Sequence, residues 1–301
     1  MGKREASMIG ECHAHIAMDG VNYARAMARH EKGPDEAHIR ACFEAYRDNG
    51  VDFVRDGGDA YGVSRRAVSI APEYGIDYRT PIFAIHKVGH YGSIVGKAFS
   101  DLHEYAFLVD EAERQGADFI KIMTTGIMDF NEFGRITHAD LPAAEVREMV
   151  HIAHEQGFAV MSHTNGKQAV LDAVEAGVDS IEHGNYIDDE CIAVLAETHT
   201  CFVPTATVAR NLIGCGLFDD DVLARIWEAS RSAIAAAIEA GCLVALGSDA
   251  GAVGVPHGIG AHDEHRCFAD AVSDPDVLRE RLAEGDLFIR STFKRGGRNS
   301  S

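Results

Sequence analysis

The sequence is poor in the features that mark special classes of protein. Its seven cysteines are irregularly spaced and no two form a C-x-x-C pair, which excludes a zinc ribbon and a disulfide framework. Reduced thiols are the expectation, and with them a cytoplasmic location. No run of 18 or so apolar residues occurs, so no transmembrane helix and no membrane partner are expected. The stretch from Met1 to Ser7 is polar and leads into no apolar signal segment. Cations are scarce: 28 Lys and Arg face 47 Asp and Glu, a net charge of −19. Such a surface repels phosphate backbones, which argues against nucleic acid as a partner. What the chain does have is apolar mass, 46% of its 301 residues, which supports a large core and excludes disorder as the main state. It also has sixteen histidines, several in telling places.

Short apolar, β-branched runs alternate with longer amphipathic stretches. The runs read as strands over Met8–Ile16, Val51–Asp56, Tyr78–His86, Phe119–Thr124, Phe158–His163, Ser180–His183, Cys201–Thr205 and Leu243–Asp249. Near-continuous apolar runs such as Phe-Ile-Lys-Ile-Met suggest a parallel sheet buried on both faces. Helical patterns lie between them at Pro34–Asp48, Asp101–Gln115, Leu141–Gln156 (with Asp140 as candidate N-cap), Lys167–Ala176 and Asp220–Ala240. Most end at a glycine, the usual helix stop. Eight strands with interleaved helices predict an α/β protein, a (β/α)₈ TIM barrel, ahead of a doubly wound sheet. One barrel domain is expected over residues 1–293, with Asp274–Phe293 as a terminal helix or two. Lys294–Ser301 reads as a disordered tail.

A barrel carries its active site at the C-terminal ends of its strands. Strand one ends in His13-Ala14-His15, and alternation sends both imidazoles to one side, where they can chelate a divalent metal. Two merely buried histidines are an equal reading of that pair alone. Lys121 lies inside an apolar strand, where a lysine must be paired or neutralised. It is read as an ion-pair partner, as an amine of depressed pKa, or as an amine that adds carbon dioxide to form a carbamate. Spacing does not choose among these. His163 ends strand five, His183 ends strand six, and Asp249 ends strand eight. Singly, each is an ordinary rim residue. Together the six form one ring of nitrogen and carboxylate donors, a set that suits zinc and its neighbours.

With these residues on the page, the sequence resembles the amidohydrolase superfamily. It is most similar to the binuclear branch of Xaa-Pro dipeptidases and Xaa-Arg/Lys carboxypeptidase-like enzymes, with imidazolonepropionase-like proteins nearby. The motifs that carry the resemblance are Cys12-His13-Ala14-His15, Val54-Arg55-Asp56-Gly57-Gly58, Phe119-Ile120-Lys121-Ile122-Met123-Thr124-Thr125-Gly126, Ser162-His163, Ser180-Ile181-Glu182-His183-Gly184, Val203-Pro204-Thr205 and Gly247-Ser248-Asp249-Ala250-Gly251. They run in family order over most of the chain. The resemblance implies two divalent metal ions, zinc first. His13, His15 and Asp249 would hold one, His163 and His183 the other, and a carboxylated Lys121 would bridge them. A hydroxide between the ions would be the nucleophile, and Asp249 would carry its proton to the leaving nitrogen.

Other positions are softer. His90 resembles a substrate-facing histidine of the family, and an ordinary loop histidine is an equal reading; His86 is a weaker candidate. The loop after strand four (Met128, Asp129, Phe130, Asn131, Phe133) is expected to line the pocket, Phe130 among its substrate contacts. Tyr186 is a further candidate for substrate contact. Arg55 and Asp56 read as structural, and Gly57-Gly58 as a tight turn. Relatives flank the barrel with a small β-sandwich, here expected to be reduced or absent. The barrel wall this exposes suggests a homo-oligomer. The first hypothesis is hydrolysis of an amide bond in a small molecule of dipeptide, N-acyl amino acid or lactam type. The second is a mononuclear imidazolonepropionase- or deaminase-like hydrolase of a cyclic amide or amine, using His13, His15, His183 and Asp249. The third, a silent binding barrel, is opposed by the intact donor ring.

Overall fold

Strand and helix alternate through the computed structural model, which describes residues 9–295. The strands are β1 (Ile9–Ala14), β2 (Val51–Asp56), β3 (Asp77–Arg79), β4 (Ala84–Lys87), β5 (Gly96–Phe99), β6 (Ile120–Met123), β7 (Val160–Thr164), β8 (Ser180–His183) and β9 (Cys201–Val203). All pair in parallel, in the orders β1-β2-β3 and β5-β4-β6-β7-β8-β9. The helices are α1 (Tyr23–His30), α2 (Glu36–Asp48), α3 (Val63–Ile70), α4 (Leu102–Gln115), α5 (Ala143–Glu155), α6 (Lys167–Ala176), α7 (Asp189–Ala196), α8 (Thr207–Leu212), α9 (Asp220–Glu239), α10 (Ile259–Ala271) and α11 (Pro275–Thr292). Aspartates cap α2, α4, α7, α9 and α11, each side chain accepting from backbone N–H groups of the first turn.

The result is a TIM barrel, and two expected strands take a less regular form. The run Tyr78–His86 is divided between β3 and β4. Pro81 offers no N–H to a ladder, and Ile82 takes φ 69, its N–H bonded to Thr80 Oγ1 at 2.9 Å. The segment Leu243–Asp249 closes the barrel between β9 and β1 but forms only isolated bridges, at Val244 and Ala250. Leu243 O accepts from Phe202 N, Leu246 O accepts from Cys12 N, and Asp249 N donates to His13 O, at 2.8–2.9 Å. The ladder breaks because Ser248 N donates to the buried Glu11 carboxylate at 2.8 Å instead of to a neighbouring strand. One cap also differs from expectation: α5 follows Pro142, not Asp140, and has no side-chain cap.

The barrel floor is closed by the last helix. Ile289 of α11 and the following Phe293 pack on Cys12, Phe53, Phe119, Met161 and Val203 inside the barrel. The Phe119 and Phe293 rings meet edge to face at 5.4 Å. Asp274–Phe293 therefore forms one helix with a defined role, and its N-cap is Asp274. Among the described residues no β-sandwich flanks the barrel. Of the expected tail, Lys294 and Arg295 are described, and residues 296–301 lie outside the described residues.

Candidate metal centre

The six donors expected at the strand ends converge in one place. His13 Nε2 and His15 Nε2 each stand 3.6 Å from Asp249 Oδ1. Lys121 Nζ reaches His13 Nε2 at 3.2 Å. The His183 ring lies 5.0 Å from that of His13 and 4.5 Å from that of His163. The ligand atoms of His13, His15 and Asp249 all lie within 4.8 Å of one another. Three site residues sit in the left-handed backbone region that non-glycine side chains rarely adopt: His183 (φ 71), Thr205 (φ 49) and Asp249 (φ 60). Such strain clusters where a chain end must aim a side chain into a site.

Burial sets the protonation of the ring. It pushes His13, His15 and His183 well down, and His163 to about 3, so all four imidazoles are neutral and keep a lone pair. It holds Asp249 up at about 7 and brings Lys121 down to about 8. The donor chemistry fits a metal. Lys121 is 1% exposed, and among the described residues it makes no ion pair within 4.0 Å and its one hydrogen-bond partner is an imidazole nitrogen. His15 Nδ1 is buried without a well-formed hydrogen bond, though the Gly58 backbone is near enough to favour its proton. Four neutral imidazoles and an amine packed this closely are united by a cation better than by one another.

A buried network aims the first of these donors. Glu182, fully buried, accepts from His13 Nδ1 at 2.7 Å and from Arg55 at 2.8 Å, and Ser180 also donates to it. Arg55, equally buried, donates to Cys12 O and Ser180 Oγ, and its guanidinium lies 4.4 Å above the Phe293 ring. The carboxylate fixes the tautomer of His13 and leaves Nε2 facing the site. Arg55 is structural, as expected. Its partner is Glu182, not Asp56, which instead accepts from Ile16 N and Gly58 N at the end of β2. Gly57 has a second reason beyond the turn: a Cβ there would stand 2.2 Å from Cε1 of His15.

A second cluster missing from the sequence reading supports the β1 loop. Three consecutive carbonyls each accept one imidazole N–H: Ile16 O from His38 at 2.9 Å, Ala17 O from His30 at 3.1 Å, and Met18 O from His257 at 2.9 Å. His38, Cys42 and His257 approach within 4.8 Å, a spacing a metal could use. Their nitrogens are engaged, however: Arg29 donates to His38 Nδ1, and Tyr46 bonds His257 Nδ1 at 3.0 Å. The cluster holds the segment between His15 and the pocket.

Above the donors opens a cavity of about 250 Å³. His15, Lys121, His163, His183, Asp249 and Phe130 line it. Phe130 is packed on Phe218 at 4.9 Å. Two other candidates do not line it: half-buried His90 bonds Ala139 O, and Tyr186 packs on Phe133 at 5.2 Å with its hydroxyl buried. His86 also lies off the lining, bonded to Lys87 O. Tyr23, at the start of α1, and the loop residues Tyr91 and Asn165 also line it and were not singled out from sequence, as does Thr205. Of these, Thr205 closes the Val203-Pro204-Thr205 motif and bonds His183 Nδ1 at 2.7 Å.

Comparison with known proteins agrees with this geometry. A family model described as the amidohydrolase family matches residues 13–272. The chain is 25% identical over 274 residues to an ochratoxinase of Aspergillus niger, covering 79% of this chain and 56% of that protein. It thus spans little more than half the length of that curated relative. Among solved structures it is similar to a Xaa-Pro dipeptidase with methionine bound in the active site, at TM-score 0.75 and 20% identity, covering 98% of this chain and 82% of the other. A prolidase complexed with N-methylphosphonate-L-proline matches at TM-score 0.76 and 21% identity, covering 94% and 74%. At these identities the structures speak for the fold.

Proposed function

Since this chain belongs to the amidohydrolase family, we propose that it hydrolyses an amide (C–N) bond of a small molecule, using two divalent metal ions. The observation that carries this reading is the convergence of His13, His15, Lys121, His163, His183 and Asp249 under one cavity. In this reading His13, His15 and Asp249 would hold one ion and His163 and His183 the other. Lys121, carboxylated by carbon dioxide, would be a ligand to both, and zinc would suit the donors. Bound ions of this kind lower the pKa of a water and polarise a carbonyl. The remaining work belongs to the chain. Asp249, with its side chain 18% exposed to the cavity, takes the water's proton and hands it to the leaving nitrogen. Glu182 keeps His13 in one tautomer, and the apolar wall excludes bulk water. The seven cysteines are free, in keeping with a reducing compartment, and we place the enzyme in the cytoplasm on that ground. Among the described residues no helix is long and apolar enough to cross a membrane.

A mononuclear hydrolase of a cyclic amide or amine is the second reading. It is favoured by the closeness of His13, His15 and Asp249, whose ligand atoms all lie within 4.8 Å of one another. The test of the hydrolase reading uses dipeptides, N-acyl amino acids and lactams with and without chelator. Stripping the metal should abolish turnover and zinc should restore it. Asp249→Asn should lower kcat by about 10³-fold or more while most of the metal stays bound. Undiminished turnover by the stripped protein, or by Asp249→Asn, contradicts the assignment.

A further inference from the structure

The walls of the cavity say more about the substrate than the donor ring does. Ile94, Ile127, Phe130, Val208, Leu212 and Phe218 supply much of its surface. Among the described residues Lys121 is the one Lys or Arg that lines it, and it sits at the floor among the imidazoles. The guanidiniums on neighbouring elements are turned elsewhere. Arg25 and Arg29 of α1 pair with Asp19 at 2.8 and 3.6 Å, Arg210 of α8 pairs with Asp270 at 2.7 Å, and Arg225 of α9 lies 4.1 Å over the Phe133 ring. The neutral amides in the wall are engaged too: Asn165 Nδ2 donates to Gly126 O, and Asn185 Nδ2 donates to Asn165 Oδ1. Thr205 Oγ1 is bonded to His183. Among the described residues Tyr91 makes no hydrogen bond through its hydroxyl, which leaves a neutral phenol to meet a carbonyl.

From this we infer that the site selects neutral, largely apolar amides and discriminates against substrates with a free carboxylate beside the scissile nitrogen. The inference rests on the hydrolase reading and narrows it. A carboxylate beside the scissile nitrogen sheds its water against this wall and, among the described residues, meets no Lys or Arg side chain there; the cations of the hydrolase reading would lie at the floor, where the scissile carbonyl would be held. A neutral ring or alkyl group gains from the same surface. The volume, below the roughly 300–1,000 Å³ of most ligand pockets, favours a small molecule. Among the substrate types considered above, lactams are therefore preferred to N-acyl amino acids and dipeptides, and simple N-substituted amides join them.

The test compares matched pairs on the zinc-loaded enzyme. One pair is 4-nitroacetanilide and 2-acetamido-5-nitrobenzoate; the other is N-benzylacetamide and N-acetylphenylglycine. The members of each pair differ by a single carboxylate. The expected result is a kcat/KM at least about 100-fold higher for the neutral member. Ile127→Lys, which places a cation on a partly exposed wall position, should shift that ratio at least about 10-fold toward the anion, while Ile127→Leu leaves it unchanged. The ratio does not depend on how much of a variant folds. Equal or better cleavage of the anionic members overturns the selectivity and leaves the hydrolase standing. Cleavage of no member of either pair, and of no other amide, overturns the hydrolase reading and this inference with it.

Discussion

Gly57 shows how much the site depends on single residues that carry no chemistry. Its missing side chain is the space in which the His15 imidazole lies, 2.2 Å from where a Cβ would be. Gly57→Ala must push the ring away from Asp249. We expect kcat to fall at least about 100-fold and zinc affinity, measured by competition with a chelator, to fall about 10-fold or more. Wild-type affinity in the variant would show that His15 is not a ligand. At this scale the sequence was informative about which donors converge and poor about their supports. His13, His15, His163, His183 and Asp249 stand at strand ends, where fold and position coincide. Glu182 and Arg55 were visible only as members of motifs, because their pairing joins strands distant in sequence. The carbonyl clamp of His30, His38 and His257 could not be read at all, since α1, α2 and the stretch before α10 meet only in three dimensions. Glu11 had no reading from sequence; it ties β1 to the closing segment through both the N–H and the hydroxyl of Ser248. Burial pushes its carboxyl up to about 8.

Among the elements, α11 and the segment 243–249 decide whether the barrel holds its ring of donors. They touch at Gly285, where a Cβ would come 1.8 Å from Val244 O. Gly285→Ala therefore forces the helix off the barrel floor, and overpacking of this kind costs about 1–3 kcal/mol or more. Thermal denaturation should show a lower Tm, with the largest secondary effect on zinc retention because Asp249 lies five residues beyond Val244. An unchanged Tm would mean that α11 is not fixed against the barrel there. Periodicity located the elements well where the strand is regular, as in β6 and β7. It overstated regularity where a side chain took over a backbone bond, at Ser248, or where proline removed a donor, at Pro81. Those irregular stretches aim Asp249 into the site and turn the chain past Gly58, so their departure from the pattern belongs to the function.

For the whole molecule, the barrel is complete without a flanking sandwich among the described residues, its floor sealed by Ile289 and Phe293. Some apolar side chains remain on its outside, Phe107 at 60% and Leu287 at 69% exposure. We expect a homo-oligomer, which light scattering coupled to size-exclusion chromatography at micromolar concentration would reveal; a strictly monomeric profile would contradict it. The barrel could be read from the sequence because eight apolar runs recur with helices between them. The oligomer and the substrate could not, because both depend on surfaces and loops that no period describes.

The account depends most on the claim that six side chains drawn from β1, β6, β7, β8 and the closing segment hold a pair of ions. Elemental analysis of purified, active protein by mass spectrometry measures this directly. The account predicts two divalent ions per chain, falling to about one or fewer in Lys121→Ala. A value of one in fully active wild-type protein, unchanged by Lys121→Ala, would contradict it and establish the mononuclear reading in its place.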